Sequence, residues 1–193
     1  MSEKTKARRA ALGQALVDAA ERGVVAGGLA SVKARDLAAE AGCSLGAIYN
    51  VYPDLPTLFM EVNARTFAEL DAALSASQDG QATPREALVA MALAYLDYAE
   101  AHTNRWRALF DLELPDDPAL SDWYLTRLRG LFSHIGRALA QLWPDRDRAE
   151  IEMMTRTLFS SVHGIVLLGL ERRFSNIPPE EVGRMIRGLL AEI

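Results

Sequence analysis

Apolar residues return every three or four positions along almost the whole chain, with polar residues on the intervening faces; this is a helical period, and no strand-like alternation interrupts it. Leu12, Ala15, Leu16, Ala19 and Ala20 mark a first helix, with Gly23, Gly27 and Gly28 as its flexible exit. Leu37 with Ala38, then Ile48 with Val51, mark two short helices joined by a tight turn within residues 34–52. Leu58, Val62, Phe67, Leu70 and Leu74 form the apolar side of a long helix over 55–77. A further helix is expected over 84–102, and Thr103 is expected to cap a short one ending at Phe110. DLELPDDP and WPDRD are breaks, separating helices over 119–143 and 146–174 from a last one opened by Pro178-Pro179 and ending at Ile193. The expected fold class is all-α, with a three-helix helix-turn-helix domain over 1–53 and a C-terminal helical bundle over 54–193.

The turn carries the sharpest chemistry. Ala38 is small enough for one short helix to lie on the other, and Gly42 can take the left-handed angle that closes the first. Leu37, Ile48 and Val51 share the buried face, and the Ser44 hydroxyl is placed to cap the second helix. Leu45, Gly46, Ala47, Tyr49 and Asn50 are left pointing outward, a face that fits a major groove. Pro53 breaks the chain, Asp54 can accept from first-turn amides of the next helix, and Pro56 is tolerated there.

On Gly28-Leu29, Arg35-Asp36-Leu37-Ala38, Ala41-Gly42-Cys43-Ser44, Gly46-Ala47-Ile48-Tyr49 and Tyr52-Pro53 leading to Leu58, the chain resembles the tetracycline-repressor (TetR) family of bacterial transcription regulators. The likeness covers about residues 6–66. Ser160-Ser161-Val162-His163-Gly164 also resembles the His-Gly (WHG-type) signature of one subgroup's C-terminal domain. The resemblance implies an N-terminal domain that binds double-stranded DNA and an all-helical domain that binds a small-molecule effector and dimerises. Leu45, Ala47 and Leu55 stand where many members carry a basic residue, a Thr and a Lys. Phosphate contacts are therefore expected from Lys4, Lys6, Arg8 and Arg9 on an N-terminal arm, from Lys33 and Arg35, and from the hydroxyls of Ser44, Tyr49 and Tyr52. Asn50 can bond an adenine edge, Leu45 and Ala47 can touch thymine methyls, and Gly46 permits close backbone approach. Such a face predicts a relaxed or shape-dependent operator.

Charge agrees with this division. The formal net charge is −5, yet residues 1–52 hold seven Lys or Arg against five Asp or Glu, and the remainder holds fourteen against twenty-one. A weakly basic head on an acidic body aims one end at phosphate, although scattered charge on solvated helix faces gives similar sums. The single cysteine, Cys43, reads as a small packing residue, excludes an internal disulfide and fits a reducing compartment. No apolar run is expected to reach the roughly 18–20 residues of a membrane span, and the charged, Ala-rich start lacks a signal-peptide core; a cytoplasmic protein without membrane partners is expected.

Aromatic residues gather in the second domain, and Tyr95, Tyr98, Trp106, Phe110, Trp123, Phe159 and His163 are the candidate effector contacts, with His102, Arg105, His134 and Arg156 as further polar groups. The same residues at helical spacing also fit an ordinary core. His163 reads either as an effector contact with a pH response or, preferred, as a satisfied hydrogen bond in the core or dimer seam. Leu158, Val162, Ile165, Val166, Leu168 and Leu170, with Val182, Met185, Ile186, Leu189 and Leu190, point to a homodimer through the last two helices. The three histidines are dispersed and no Glu-x-x-His pair occurs, so no enzyme activity, cofactor or metal site is expected. The expected function is a ligand-responsive transcriptional regulator, a repressor that binds a pseudo-palindromic operator as a dimer and is released by an apolar or amphipathic effector. The alternative is a protein-interaction adaptor whose helix-turn-helix no longer reads DNA.

Overall fold

The structure is a computed structural model and describes residues 3–114, 116, 118–171 and 177–193. Among them the elements are α1 (Glu3–Gly27), a 3-10 turn (Leu29–Ser31), α2 (Ala34–Glu40), α3 (Leu45–Val51), α4 (Leu55–Ser77), α5 (Pro84–Ala101), α6 (Thr103–Asp111), α7 (Pro118–Leu142), α8 (Arg148–Leu170) and α9 (Pro179–Ala191), with no strand. The fold is all-α, as its periodicity predicts. Glu171 is the C-cap of α8, and Pro115, Asp117 and residues 172–174 of the helix expected over 146–174 fall outside the described residues.

Local chemistry explains most boundaries. Asp54 accepts from the Thr57 amide at 2.7 Å and so caps α4. Asp147 and Glu150 form a reciprocal capping box at 2.9 and 3.1 Å, which starts α8 and gives Glu150 a definite task. Two details differ from the expectation. Gly23 lies inside α1, where an added Cβ would stand 2.9 Å from the Val32 side chain, so the helix exit falls later, at Gly28 with φ 75°. Thr103 is the first residue of α6, not its cap; His102 precedes the helix and makes no side-chain cap hydrogen bond.

Packing divides the chain into two compact units, Met1–Phe67 with His102–Thr126, and Ala68–Ala101 with Arg127–Ile193. This differs from the 1–53 and 54–193 segments because the head's core recruits residues from later helices. Leu58, Phe59 and Val62 of α4 and Ala108 of α6 join Leu16, Leu37 and Ile48 in one buried cluster. Asn63 donates to the Ala108 carbonyl at 2.7 Å and to the Tyr124 hydroxyl at 2.9 Å, and α6 packs along α1. Arg65 pairs with Asp18 at 2.6 Å and with Glu21, and Arg105 reaches Glu21 at 3.3 Å. Solvent reaches Asp18 and Arg65, which screens their attraction, so apolar burial holds the unit together.

In the second unit α5, α8 and α9 pack on one another. The buried His134 ring lies 2.8 Å from Asp71 through Nε2, while Nδ1 faces Gln78 at 3.0 Å and Arg137 at 2.9 Å. A guanidinium can only donate, so Nδ1 accepts and Nε2–H donates to Asp71. By length and composition one described helix, α8, could cross a membrane, with a mean hydropathy of 1.3 over its most apolar stretch. This corrects the expectation of no such run: isolated polar residues interrupt the apolar ones without outweighing them. Its Ile151, Leu158, Val162 and Val166 are buried in the unit's core.

Candidate nucleic-acid interface and effector cavity

The turn between α2 and α3 is closed by three backbone hydrogen bonds. Gly42, at φ 64°, donates to the Ala39 carbonyl at 3.3 Å, Cys43 donates to Ala38 at 2.9 Å, and Ala41 donates to Leu37 at 2.9 Å. The first two form a Schellman arrangement, which needs the left-handed residue that glycine supplies without strain. Ser44 then accepts from the Ala47 amide at 3.3 Å and opens α3, whose Ile48 is 0% exposed. The opposite face is open: Leu45 is 43% and Tyr49 47% exposed, Gly46 and Asn50 are exposed, and Ala47 is half-buried. An added Cβ at Gly46 would meet nothing within 4 Å.

Lys4, Lys6, Arg8 and Arg9 are exposed, but they sit on the first turns of α1 and not on a loose arm. Lys33 and Arg35 are exposed at the start of α2, Lys33 preceding its first turn. Tyr52 closes α3 half-buried, and burial pushes its phenol pKa up, so its hydroxyl stays a neutral hydrogen-bonding group.

The second unit encloses a cavity of about 50 Å³. Its wall takes Leu74 from α4, Met91 and Tyr95 from α5, Leu131 and Phe132 from α7, Leu158, Phe159 and Val162 from α8 and Leu190 from α9, with Leu88, Ala92 and Ile135 completing it; no charged side chain lines it. The Tyr95 hydroxyl is hydrogen-bonded to His163 Nδ1 at 2.8 Å, and the imidazole stacks on Phe159 with ring centroids 5.5 Å apart. Burial lowers the His163 pKa, which keeps the ring neutral near pH 7. Preformed ligand pockets span roughly 300–1,000 Å³. The cavity is thus a packing gap that must widen before it admits an effector.

Residues 88–193 match the family model described as tetracyclin repressor-like, C-terminal domain. The chain belongs to the tetracycline-repressor family. Among solved structures it is similar to a transcriptional regulator from Rhodococcus sp. RHA1 (21% identity, 96% of this chain and 95% of that one, TM-score 0.65). It is also similar to a TetR transcriptional regulator from the same organism (15%, 95% and 96%, TM-score 0.68). A third is the transcriptional regulator FadR from Bacillus subtilis in complex with stearoyl-CoA (13%, 92% and 96%, TM-score 0.71). No curated protein matches the chain.

Within this TetR-family fold the seven expected effector contacts separate. Tyr95 and Phe159 line the cavity and His163 stands behind them. Tyr98 is buried and donates to Glu69 at 3.0 Å, outside the cavity wall. Trp106, Phe110 and Trp123 belong to the first unit, where Trp106 is 0% exposed and meets Phe110 edge-on at 5.4 Å. The cavity wall does not include them, and Phe110 is 43% exposed; a count of aromatics along the chain does not report which unit each helix joins. Of the further polar groups, His102 is exposed, Arg105 faces Glu21 and His134 is held by its three neighbours, whereas Arg156 lines a groove between α7 and α8. The expectation missed Leu74 and Leu131, whose signal was only their place on an apolar stripe.

Of the expected dimer seam, Leu158, Val162, Val166, Val182, Ile186 and Leu190 are core. The large apolar side chains left exposed on α8 and α9 are Met153, Leu167, Leu168 and Met185. Among the described residues no group of His, Cys, Asp or Glu could hold a metal ion.

Proposed function

We propose that this TetR-family chain is a non-enzymatic, cytoplasmic transcriptional repressor that reads a pseudo-palindromic operator as a homodimer and releases it on binding an apolar or amphipathic effector. The observation that carries the reading is the outward face of α3: Ile48 is sealed beneath it while Leu45, Gly46, Tyr49 and Asn50 remain accessible. Lys4, Lys6, Arg8, Lys33 and Arg35 supply exposed cations for phosphate, Ser44 and Tyr52 supply hydroxyls, and Asn50 with Leu45 and Ala47 reads base edges. Met153, Leu167, Leu168 and Met185 supply apolar surface for a seam through α8 and α9.

Coupling follows from continuity of α4. Its Leu58 belongs to the head's buried cluster, and its Leu74 lines the cavity of the second unit. An effector that widens the gap around Phe159 pushes on Leu74, and α4 is the continuous segment that leads from there to Leu58. The effector shifts the balance only by its unequal affinity for the two arrangements, typically about 1–3 kcal/mol. FadR, a relative in fold, is known with stearoyl-CoA bound, which supports a hydrocarbon effector here.

The exposed Leu45 and Tyr49 favour one second reading, an adaptor that offers this face to a protein. Binding to the DNA upstream of the chain's own gene, measured across a salt series, separates the two. A regulator shows saturable binding that weakens steeply with salt and a footprint of two half-sites; an adaptor shows no protected site even at low salt.

A further inference from the structure

Two segments on neighbouring helices repeat one pattern: Arg129-Gly130-Leu131-Phe132 on α7 and Arg156-Thr157-Leu158-Phe159 on α8. Both place the leucine and phenylalanine on the wall of the cavity and the arginine on the groove between α7 and α8. The two phenylalanine rings meet with centroids 4.9 Å apart, and Phe132 lines both spaces. The groove measures about 480 Å³ and also holds Arg148, whose guanidinium pairs with Glu152 at 2.7 Å. Arg129, Arg148 and Arg156 thus line this groove together with Glu152, beside a chamber with no charged wall.

We infer that these two spaces receive one amphiphile, its hydrocarbon chain in the cavity and its anionic head, a carboxylate or phosphate, in the groove between Arg129 and Arg156. The inference rests on the proposed effector role of the cavity and adds the class of ligand. A charged or strongly polar head cannot stay in the cavity, because the Tyr95 hydroxyl is already bonded to His163 and a bare polar group loses its hydration there. It must leave the cavity at a groove. The α5–α9 groove adjoins the cavity only through Leu190, which is 1% exposed, and its Arg85 reaches the Ala191 carbonyl at 3.3 Å. Phe132 is half-buried and stands at the boundary, so turning its ring aside joins the apolar gap to the arginines. Guanidinium forks hold carboxylate and phosphate through paired, charge-assisted hydrogen bonds.

Calorimetric titration with decanoate, decyl phosphate and decanol, each below its micellar concentration, tests this. Both anions are expected to bind about tenfold or more tightly than the alcohol, and their ratio tells carboxylate from phosphate. The double variant Arg129→Gln/Arg156→Gln is expected to bring the anions down to the affinity of decanol without altering decanol itself; Arg129→Lys/Arg156→Lys recovers part of the preference. If the glutamine variant loses its fold by circular dichroism, the wild-type salt series decides: anion binding weakens with salt and decanol binding does not. Equal affinity for decanol and decanoate, a glutamine variant that keeps the preference, salt-insensitive anion binding, or no binding by any probe overturns the inference. Parallel DNA titrations separate it from the regulatory reading. Arginine-dependent anion binding that leaves DNA affinity unchanged upholds the site and removes the regulation, whereas DNA binding without amphiphile binding does the reverse.

Discussion

Around Ile48 the chain is sealed: the residue is 0% exposed, the turn beside it is closed by Gly42 and Ser44, and Leu16, Leu37 and Leu58 join it in one buried cluster. Around Phe159 a gap of about 50 Å³ persists among five helices. The first region must hold a surface still while it is read; the second must yield to whatever enters. Close packing makes cores respond in discrete steps, so a helix shared by a tight region and a loose one is suited to passing a displacement on. α4 is such a helix.

Changes in side-chain volume test that contrast most strongly. Ile48→Ala empties the tight region and is expected to cost about 3 kcal/mol, read as a lower urea midpoint together with loss of DNA binding. A matched pair comes next. Val24→Ile adds one methylene to the head's core, where Val24 is 0% exposed, and is expected to cost about 1–2 kcal/mol. Val162→Ile adds the same methylene at the cavity wall and is expected to stabilise by up to about 0.8 kcal/mol while weakening hydrocarbon binding. Equal effects of the two substitutions would erase the distinction. Gly46→Ala touches nothing in the free protein, so a gain of about 0.5–1 kcal/mol is expected alongside weaker operator binding, which gel-shift titration measures. The smallest effect is in pH. Burial lowers the folded His163 pKa from its ordinary 6.5, so as pH falls the unfolded chain takes up the proton first. The His163 contribution is complete above about pH 6.5 and is lost as pH falls through that value toward the folded pKa. His163→Gln should flatten that part of the urea-midpoint profile.

The tight region was legible in sequence because its causes lie within a few residues of each other. Ala38, Gly42, Ser44 and Asp54 each take part in a hydrogen bond to a neighbour three to five positions away, and Ile48 falls on an apolar stripe legible at helical spacing. The loose region was not. Tyr95 meets His163 across 68 residues, and His134 reaches Asp71 across 63. Nothing local distinguishes Trp106, sealed in the head, from Phe159, at the cavity, since both are aromatic residues on apolar helical stripes. The pairing of Arg129-x-Leu-Phe132 with Arg156-x-Leu-Phe159 acquires meaning only once α7 and α8 are seen to share a groove. The 53/54 boundary marked where α4 begins, but it could not anticipate that α6 returns to pack on α1.

The gap beside Phe159 makes the protein compressible. Unfolding abolishes such a space and lets water occupy the room more efficiently, so hydrostatic pressure favours the opened chain in proportion to the emptiness removed. The second unit should therefore yield to pressure ahead of the head, and a bound hydrocarbon, by filling the gap, should leave the two equally hard to squeeze.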